Sequence, residues 1–130
     1  MPRRQERARQ SLHSKFRLAW RGMRRGIRSE SNFFVHLLAA AMVIAAGRIL
    51  NCGLLEWCLL ILCISFVLTV EMMNTALEHL AKAVSEKRNP FIADALDMAS
   101  AAVLFASIGA ATVGTLILGN RLALLLRWWE

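Results

Sequence analysis

Three long apolar stretches constrain the fold of this chain most strongly. Residues 33–50, 54–80 and 98–118 contain few charged side chains or none, and each provides roughly the 20 residues with which a helix crosses a bilayer core of about 30 Å. The hydrophobic content of 57% is also too high for a soluble domain of 130 residues that has to cover its own surface. The sequence therefore predicts an all-α integral membrane protein with three transmembrane helices, the first of which is the shortest.

A basic segment precedes the first apolar stretch. Residues 1–28 hold ten basic side chains against the single acid Glu6, a net charge of +9, whereas the remaining chain holds six basic and eight acidic residues, a net charge of −2. Apolar side chains recur in this segment at helical spacing and share one face: Leu12, Phe16, Trp20, Met23 and Ile27. A basic amphipathic helix of this kind lies in the bilayer interface. The pattern favours a membrane-surface helix over a secretory signal or a nucleic-acid-binding arm, so no nucleic-acid partner is predicted.

The connecting segments predict the topology. Asn51-Cys52-Gly53 is typical of a tight turn between the first two spans, and residues 85–90 (SEKRNP) are expected to form a charged loop before the third. Basic residues gather in the N-terminal segment and near that loop, so the positive-inside rule predicts that both are cytoplasmic. The three cysteines lack the spacing of a metal site or a disulfide framework. The predicted organisation is a basic tail over 1–10, an amphipathic surface helix over 11–30, a three-helix transmembrane domain over 31–120 and a C-terminal tail over 121–130.

The second half of the second span carries a polar stripe. At 100° per residue, Glu71, Asn74, Glu78 and Lys82 fall within one narrow sector of a helix. An ionisable residue inside a membrane is costly and is by default a functional hypothesis. The structural alternative is an ordinary Glu78–Lys82 ion pair, with Asn74 joining two helices. That alternative does not account for Glu71, which lies about two turns deeper and has no basic residue one turn away on its own helix.

Further acidic residues are expected at the same membrane level. Glu30 lies where the surface helix meets the first span, and Asp94 and Asp97 lie at the start of the third. Carboxylates that converge beside a basic surface are typical of Mg²⁺ sites, because Mg²⁺ is commonly held by one or two carboxylates together with phosphate oxygens. The chain contains no GxxxxGK[ST] loop, so a nucleotide would be bound without that phosphate cradle.

Three motifs stand out at these positions: ExxNTAxE over 71–78, DMASAAVL over 97–104 and SExNxxxH over 29–36. Together they resemble the prokaryotic diacylglycerol kinase family, small integral-membrane lipid kinases that include the undecaprenol kinases. The resemblance runs from about Phe16 to Leu118 and covers most of the chain. It implies a homotrimer with sites assembled between subunits, a bacterial inner-membrane location, and phosphorylation of a lipid hydroxyl from MgATP at the cytoplasmic face.

The resemblance also implies roles for individual residues. Glu71 would accept the proton of the lipid hydroxyl, and Glu30 and Glu78 would bind the Mg²⁺ that bridges the ATP phosphates. Asn74 and Asp97 would support the nucleotide and the base. The lipid-binding set is Glu71, Trp20 and Ser100. These roles agree with phosphoryl transfer, which requires mainly positioning and neutralised charge.

Two departures from the family pattern concern positive charge. Leu96 stands before Asp97 where the family usually has lysine, and Lys82 stands where the family has aspartate. We expect the charge to be relocated, with Lys82 or the loop residues Lys87 and Arg88 neutralising the ATP phosphates.

Several functional alternatives stay open at this point. An inactive kinase homologue, a small ion-coupled transporter and a structural membrane subunit are the other classes, although transporter helices are typically interrupted by Gly or Pro. Diacylglycerol is the expected acceptor, because DMASAAVL resembles the diacylglycerol kinase branch. Undecaprenol is the alternative acceptor, because SExNxxxH and NTA resemble the undecaprenol kinase branch.

Overall fold

The protein is all-α throughout the part of the chain that the computed structural model describes, which comprises residues 12–29, 31–84 and 89–127. The predicted all-α class is confirmed, because these residues form helices joined by short connections and include no β-strand. The predictions for the tail over 1–10 and for residues 85–88 lie outside the described residues. The helices are α1 (Leu12–Ser29), α2 (Ser31–Ile49), α3 (Leu54–Val84) and α4 (Pro90–Arg127).

Helix α1 corresponds to the predicted surface helix. Its apolar stripe is not buried by the rest of the chain, since Leu12, Phe16 and Trp20 are all largely exposed. The stripe is therefore free to enter the interfacial layer of a bilayer, as expected for a basic amphipathic helix.

Helices α3 and α4 are each long and apolar enough to cross a membrane, with a mean hydropathy of 2.1 in the most apolar window of each. Residues 12–28 and 33–49 meet the same requirement only together, as one bent pair, so the described helices provide two crossings or up to three. Helix α4 is longer than the span predicted over 98–118, because it begins at Pro90 and continues to Arg127. Only 17% and 11% of the apolar windows of α3 and α4 are buried within the chain. Most of both surfaces is therefore available to lipid or to other chains.

The predicted turn between α2 and α3 is a Schellman motif. Asn51 has a φ of 51°, the left-handed conformation that favours glycine or asparagine. The Cys52 N–H donates to the Gly47 carbonyl at 3.0 Å, and the Asn51 N–H donates to the Arg48 carbonyl at 3.3 Å. These two bonds satisfy carbonyl groups that the end of α2 would otherwise leave without partners.

Helices α3 and α4 pack more extensively than any other pair, and a charged cluster fixes their register. Arg121 near the end of α4 donates from Nε to both oxygens of Glu56 at 2.9 and 2.8 Å, and its Nη2 lies 2.6 Å from Glu56 Oε2. Glu56 also accepts a hydrogen bond of 2.6 Å from the Gly53 N–H, so it caps the first turn of α3 in the manner of a capping box. One carboxylate therefore joins the start of α3 to the end of α4, and we refer to this group as the Glu56–Arg121 staple.

The start of α4 is set by an asparagine cap. Asn89 Oδ1 accepts a hydrogen bond from the Phe91 N–H at 3.0 Å, and Pro90 occupies the first helical position, which has no need of an N–H donor. The helix therefore begins at the end of the predicted loop rather than at Met98. As a result Asp94 and Asp97 are helical residues on the same element as the apolar span.

Candidate functional site

The site is built around Glu71, a carboxylate in the second half of α3. Its side chain is 2% exposed, although most of the helix around it is open to the exterior. His36 of α2 approaches it across the helix interface, with Nε2 3.8 Å from Glu71 Oε2. That distance is too long for a hydrogen bond but close enough for electrostatic contact. The sequence indicated that something outside α3 must explain Glu71, and His36 is one such partner.

The position of Glu71 along α3 corresponds to lipid depth near an interface. Glu56 is the last charged residue before the apolar run, and at 1.5 Å per residue Glu71 lies about 22 Å and Glu78 about 33 Å further along the helix. With Glu56 taken as the first border of a hydrocarbon core of about 30 Å, Glu71 would lie about 8 Å inside the second border and Glu78 about 3 Å outside it. The stripe therefore crosses from lipid to water within two turns. Burial follows this order, because Glu71 is buried, Glu78 is partly buried and Lys82 is exposed.

Two neighbours of Glu71 are buried with polar atoms that lack partners among the described residues. Asn74 is 7% exposed and Thr75 is 3% exposed, yet neither Asn74 Oδ1 nor Thr75 Oγ1 has a hydrogen-bond partner. The amide nitrogen of Asn74 is engaged, because Nδ2 donates a hydrogen bond to Glu78 Oε1 at 3.0 Å. Leaving a buried acceptor or donor unpaired costs about 1–3 kcal/mol. These atoms therefore keep hydrogen-bonding capacity that the described residues do not use.

Glu78 accepts a hydrogen bond from Asn74, whereas the sequence suggested an ion pair between Glu78 and Lys82. No ion pair joins Glu78 to Lys82 among the described residues, and the Glu78 carboxylate is engaged by Asn74 instead. The ammonium group of Lys82 is exposed and has no carboxylate partner in the described part of the chain.

A cleft of about 1,240 Å³ lies between α1 and α3 and reaches the first turns of α2. Thr75 and His79 of α3 border it, together with apolar side chains such as Met72 and Phe33. Residues one helical turn apart have Cβ atoms about 5–6 Å apart, so a group bound beside Thr75 is within one turn of Glu71. The cleft can accommodate an apolar chain, and its border at Thr75 lies one helical turn from Glu71, which does not itself line the cleft.

Other predicted site residues are not gathered here within one copy of the chain. Asp97 and Ser100 lie on the exposed surface of α4, and the Ser100 hydroxyl donates to the Leu96 carbonyl of its own helix at 3.0 Å. Trp20 is exposed on the apolar stripe of α1 and does not border the cleft. Their assignments to nucleotide and lipid binding stay predictions. The remaining predicted residues, Glu30, Lys87 and Arg88, lie outside the described residues.

The predicted Mg²⁺ site has one of its two carboxylates in the described part of the chain. Within that part, no three His, Cys, Asp or Glu side chains converge as a metal cluster. Glu78 nonetheless suits this ion, because Mg²⁺ requires only one or two carboxylates with water and phosphate oxygens, and just one oxygen of Glu78 is engaged by Asn74. The donor set fits Mg²⁺ chemistry, with Glu30 as the second predicted ligand.

Sequence reasoning assigned no role to His36 or Thr75, although both lie in the motifs. His36 could have been found from its position, because it is the single ionisable residue in the first three turns of an otherwise apolar span. Thr75 had no comparable signal, since a hydroxyl in a membrane helix usually bonds to a carbonyl of its own helix, as Thr69 and Thr112 do here.

Comparisons with known proteins identify the family of the chain. A family model described as prokaryotic diacylglycerol kinase matches residues 17–118. An undecaprenol kinase of Bacillus subtilis is 32% identical over 99 residues, which cover 76% of this chain and 80% of that protein. A diacylglycerol kinase of Synechocystis sp. is 33% identical over 104 residues, which cover 79% of this chain and 59% of that protein. The resemblance seen in the motifs is confirmed, and the chain belongs to the prokaryotic diacylglycerol kinase family of membrane lipid kinases.

Proposed function

We propose that the chain transfers the γ-phosphoryl group of ATP to the hydroxyl of diacylglycerol, forming phosphatidic acid. The observation that carries this proposal is the carboxylate of Glu71, which is buried on the apolar helix α3 beside polar atoms of Asn74 and Thr75 that have no partner among the described residues. A kinase whose acceptor hydroxyl lies at the edge of the hydrocarbon requires a base nearby to accept the proton of that hydroxyl.

In the proposed mechanism Glu71 takes the proton from the lipid hydroxyl, and the hydroxyl oxygen attacks the γ-phosphorus of ATP. The bond between the γ-phosphorus and the β,γ-bridging oxygen breaks, and ADP leaves with the electron pair. Asn74 holds the Glu78 carboxylate at the water side of the stripe, where the phosphates arrive. Mg²⁺, when bound by Glu78 and Glu30, would supply charge neutralisation on the phosphate oxygens.

The exposed ammonium of Lys82 supports its proposed role in binding ATP. It lies one turn beyond Glu78 and is not engaged by a carboxylate among the described residues, so it can reach a phosphate without first breaking an ion pair. Leu96 occupies the position at which the family usually has a lysine. Lys82 therefore supplies on α3 the positive charge that α4 lacks at Leu96.

Undecaprenol is the second candidate acceptor. The relative named undecaprenol kinase is matched over 80% of its length, and the relative named diacylglycerol kinase is matched over 59%, at nearly equal identities. Both lipids present a primary hydroxyl, so they make the same demand on Glu71.

A mixed-micelle assay separates the two acceptors. The purified protein is given MgATP with equal mole fractions of diacylglycerol, undecaprenol or no lipid alcohol, and lipid-bound phosphate is measured. We expect ATP consumption to require a lipid alcohol and kcat/KM to be higher for diacylglycerol. A higher kcat/KM for undecaprenol would reassign the acceptor, and lipid-independent ATP consumption or none at all would contradict the kinase mechanism.

We further propose a homotrimer with shared sites. A groove of about 610 Å³ between α2, α3 and α4 is bordered by small residues such as Ala40, Ala111 and Gly114. Ser107 borders it too, with a buried hydroxyl that has no partner among the described residues. Small side chains let membrane helices approach closely, so the groove suits a helix of another copy.

Subunit mixing tests this arrangement. Glu71→Gln and Asp97→Asn each remove one predicted site residue, and they lie on α3 and α4. If sites are shared, mixing the two inactive variants restores part of the activity. Mixing that restores none, together with a monomer in native mass spectra, would contradict the trimer.

We also propose that the active site faces the cytoplasm of the bacterial inner membrane, which requires the turn between α2 and α3 to face outward. Cys52 in that turn reports on this orientation once Cys58 and Cys63 are replaced by alanine. Burial is the main cause that raises the pKa of the Cys52 thiol, and the neighbouring Glu56 carboxylate raises it further. The thiolate is the reactive form, so labelling should be slow at pH 7 and faster near pH 8.5. A membrane-impermeant maleimide should label Cys52 in intact cells. Labelling only after lysis would reverse the topology.

A further inference from the structure

Glu71 has to give up a proton in every turnover. In the mechanism proposed above it takes the proton of the lipid hydroxyl, so it is a carboxylic acid once the phosphoryl group has been transferred. A carboxylic acid cannot act as a base, and the proton must leave before the next lipid alcohol reacts. Glu71 is 2% exposed, so bulk water has little direct access to it. This enclosed position requires a neighbouring group that takes the proton over.

His36 of α2 is a neighbour whose chemistry suits this step. Its Nε2 atom lies 3.8 Å from Glu71 Oε2. Histidine side chains take up and release protons near neutral pH and serve as proton shuttles in many enzymes. The distance is longer than a hydrogen bond, but catalytic contacts of this kind often shorten when substrate binds, and a single bridging water molecule also spans such a distance. The two side chains are therefore placed for proton transfer.

Exposure increases from Glu71 to His36. The side chain of Glu71 is 3% exposed and that of His36 is 21% exposed. His36 lies five residues after Ser31, the first residue of α2, which is about 7.5 Å along the helix axis. It also borders the groove between α2, α3 and α4, at the end nearest the start of α2, because the groove follows α2 from His36 to Leu50. His36 is thus the more accessible of the two groups.

Other acceptors for the proton fit less well. Glu78 lies seven residues beyond Glu71, about 10.5 Å along α3, and its carboxylate accepts a hydrogen bond from Asn74. The other described residues that border the groove with His36 carry apolar, hydroxyl or thiol side chains or are glycine, and none of these takes up a proton near neutral pH. The proton of Glu71 therefore has its best placed acceptor in His36.

We propose that His36 returns Glu71 to its basic form after each phosphoryl transfer. The proton moves from the carboxyl group of Glu71 to Nε2 of neutral His36, which leaves a carboxylate and an imidazolium. The imidazolium then releases the proton to water, and both side chains are back in their starting states. His36 acts through Glu71 and does not touch the substrate. The inference rests on the proposed function, since it assumes a base that is protonated in each cycle, and it applies to either lipid alcohol.

Quench-flow kinetics of His36→Gln test the proposal, in mixed micelles with saturating MgATP and the lipid alcohol that gives the higher turnover. Glutamine keeps a polar side chain at this position but cannot carry the proton. Lipid-bound phosphate should form at the parent rate in the first turnover, and later turnovers should be slower on the order of tenfold or more. Because the slowed step follows phosphoryl transfer, kcat and the KM for lipid should fall together while kcat/KM is unchanged. His13→Gln is the matched control, because it removes an exposed histidine from α1, and it should give the time course of the parent protein.

A double-mutant cycle separates proton transfer from packing. Glu71→Gln takes up no proton from the lipid, so adding His36→Gln to it should lower the residual turnover by less than about twofold. Circular dichroism identifies a folded preparation. If His36→Gln does not fold, His36→Phe decides the question by the same time course, since it keeps a ring at this position.

Three results would overturn the proposal. The first is a time course in a folded His36 variant that matches the parent protein. The second is a first turnover that is slowed as much as the later ones, and the third is an equal loss in the Glu71→Gln background; both would assign His36 to packing. A parent protein without lipid-dependent turnover would instead contradict the kinase function, so the two failures are distinguishable.

Discussion

Replacing Glu71 by glutamine should separate catalysis from stability. Glutamine keeps the shape of the side chain and its capacity to hydrogen-bond, but it cannot accept a proton from the lipid hydroxyl. Glu71 is 2% exposed and faces His36, so the new amide occupies the same enclosed position. We expect activity to fall and the fold to be kept.

The substitution should have a large effect on turnover, which falls, and a small effect on stability, which stays constant or rises. Loss of a positioned general base lowers turnover by a factor of about 10²–10⁴, which corresponds to a barrier increase of about 2.7–5.4 kcal/mol. A carboxylate at the centre of a membrane helix costs about 2.5–3.5 kcal/mol on insertion scales. Glu71 lies about 8 Å inside the border rather than at the centre, so only part of that cost is removed. Thermal stability should therefore stay constant or rise by a few degrees.

The assay measures kcat at saturating MgATP and lipid, and each KM by varying one substrate while the other is saturating. The Tm is followed by the loss of helical circular dichroism. Asp94→Asn is the matched control, because it removes an exposed carboxylate that has no assigned role. That control should keep near-normal turnover. If Glu71→Gln retains turnover within a factor of a few, the assignment of the base is wrong. If its Tm falls along with its activity, Glu71 serves helix packing instead.

Three further changes test other parts of the molecule. Glu78→Gln should raise the apparent requirement for Mg²⁺ and the KM for ATP, and excess Mg²⁺ should partly restore activity; no effect of Mg²⁺ would contradict a metal role. Lys82→Ala should raise the KM for ATP several-fold, and adding Leu96→Lys should reverse part of the increase; an unchanged KM would contradict the relocated charge. Glu56→Gln should lower Tm by weakening the contact with Arg121 and the cap of α3, with kcat of the folded fraction unchanged; a Tm equal to that of the parent protein would contradict the staple.

The sequence predicted the elements well because their causes are local. Apolar runs, the Asn51-Cys52-Gly53 turn and the amphipathic period of α1 depend on residues that are close in the chain. The start of α4 was placed too late, because hydropathy locates the apolar part of a helix rather than its first turn. Asn89 and Pro90 carried the missing signal, an asparagine cap followed by proline at the first helical position.

Contacts between residues that are distant in the chain leave no periodic signal in the sequence. Glu56 and Arg121 are 65 positions apart, and the sequence offered them only as isolated charges at opposite ends of the apolar stretches. The contact between His36 and Glu71 depends likewise on how α2 packs against α3. Such pairs follow from the register of two helices, which one sequence does not determine through periodicity alone.

The two ends of α3 differ in a way that suits a catalyst. At its start, Glu56 is satisfied by Arg121 and by the Gly53 N–H, so this end is fixed in position. At the other end, Asn74 Oδ1 and Thr75 Oγ1 are buried without partners among the described residues. Unsatisfied polar atoms destabilise a fold unless a ligand or a partner engages them, and they persist where the surrounding structure tolerates the cost. The staple therefore anchors α3 at one border, while the polar stripe at the other keeps the bonding capacity that an incoming substrate requires.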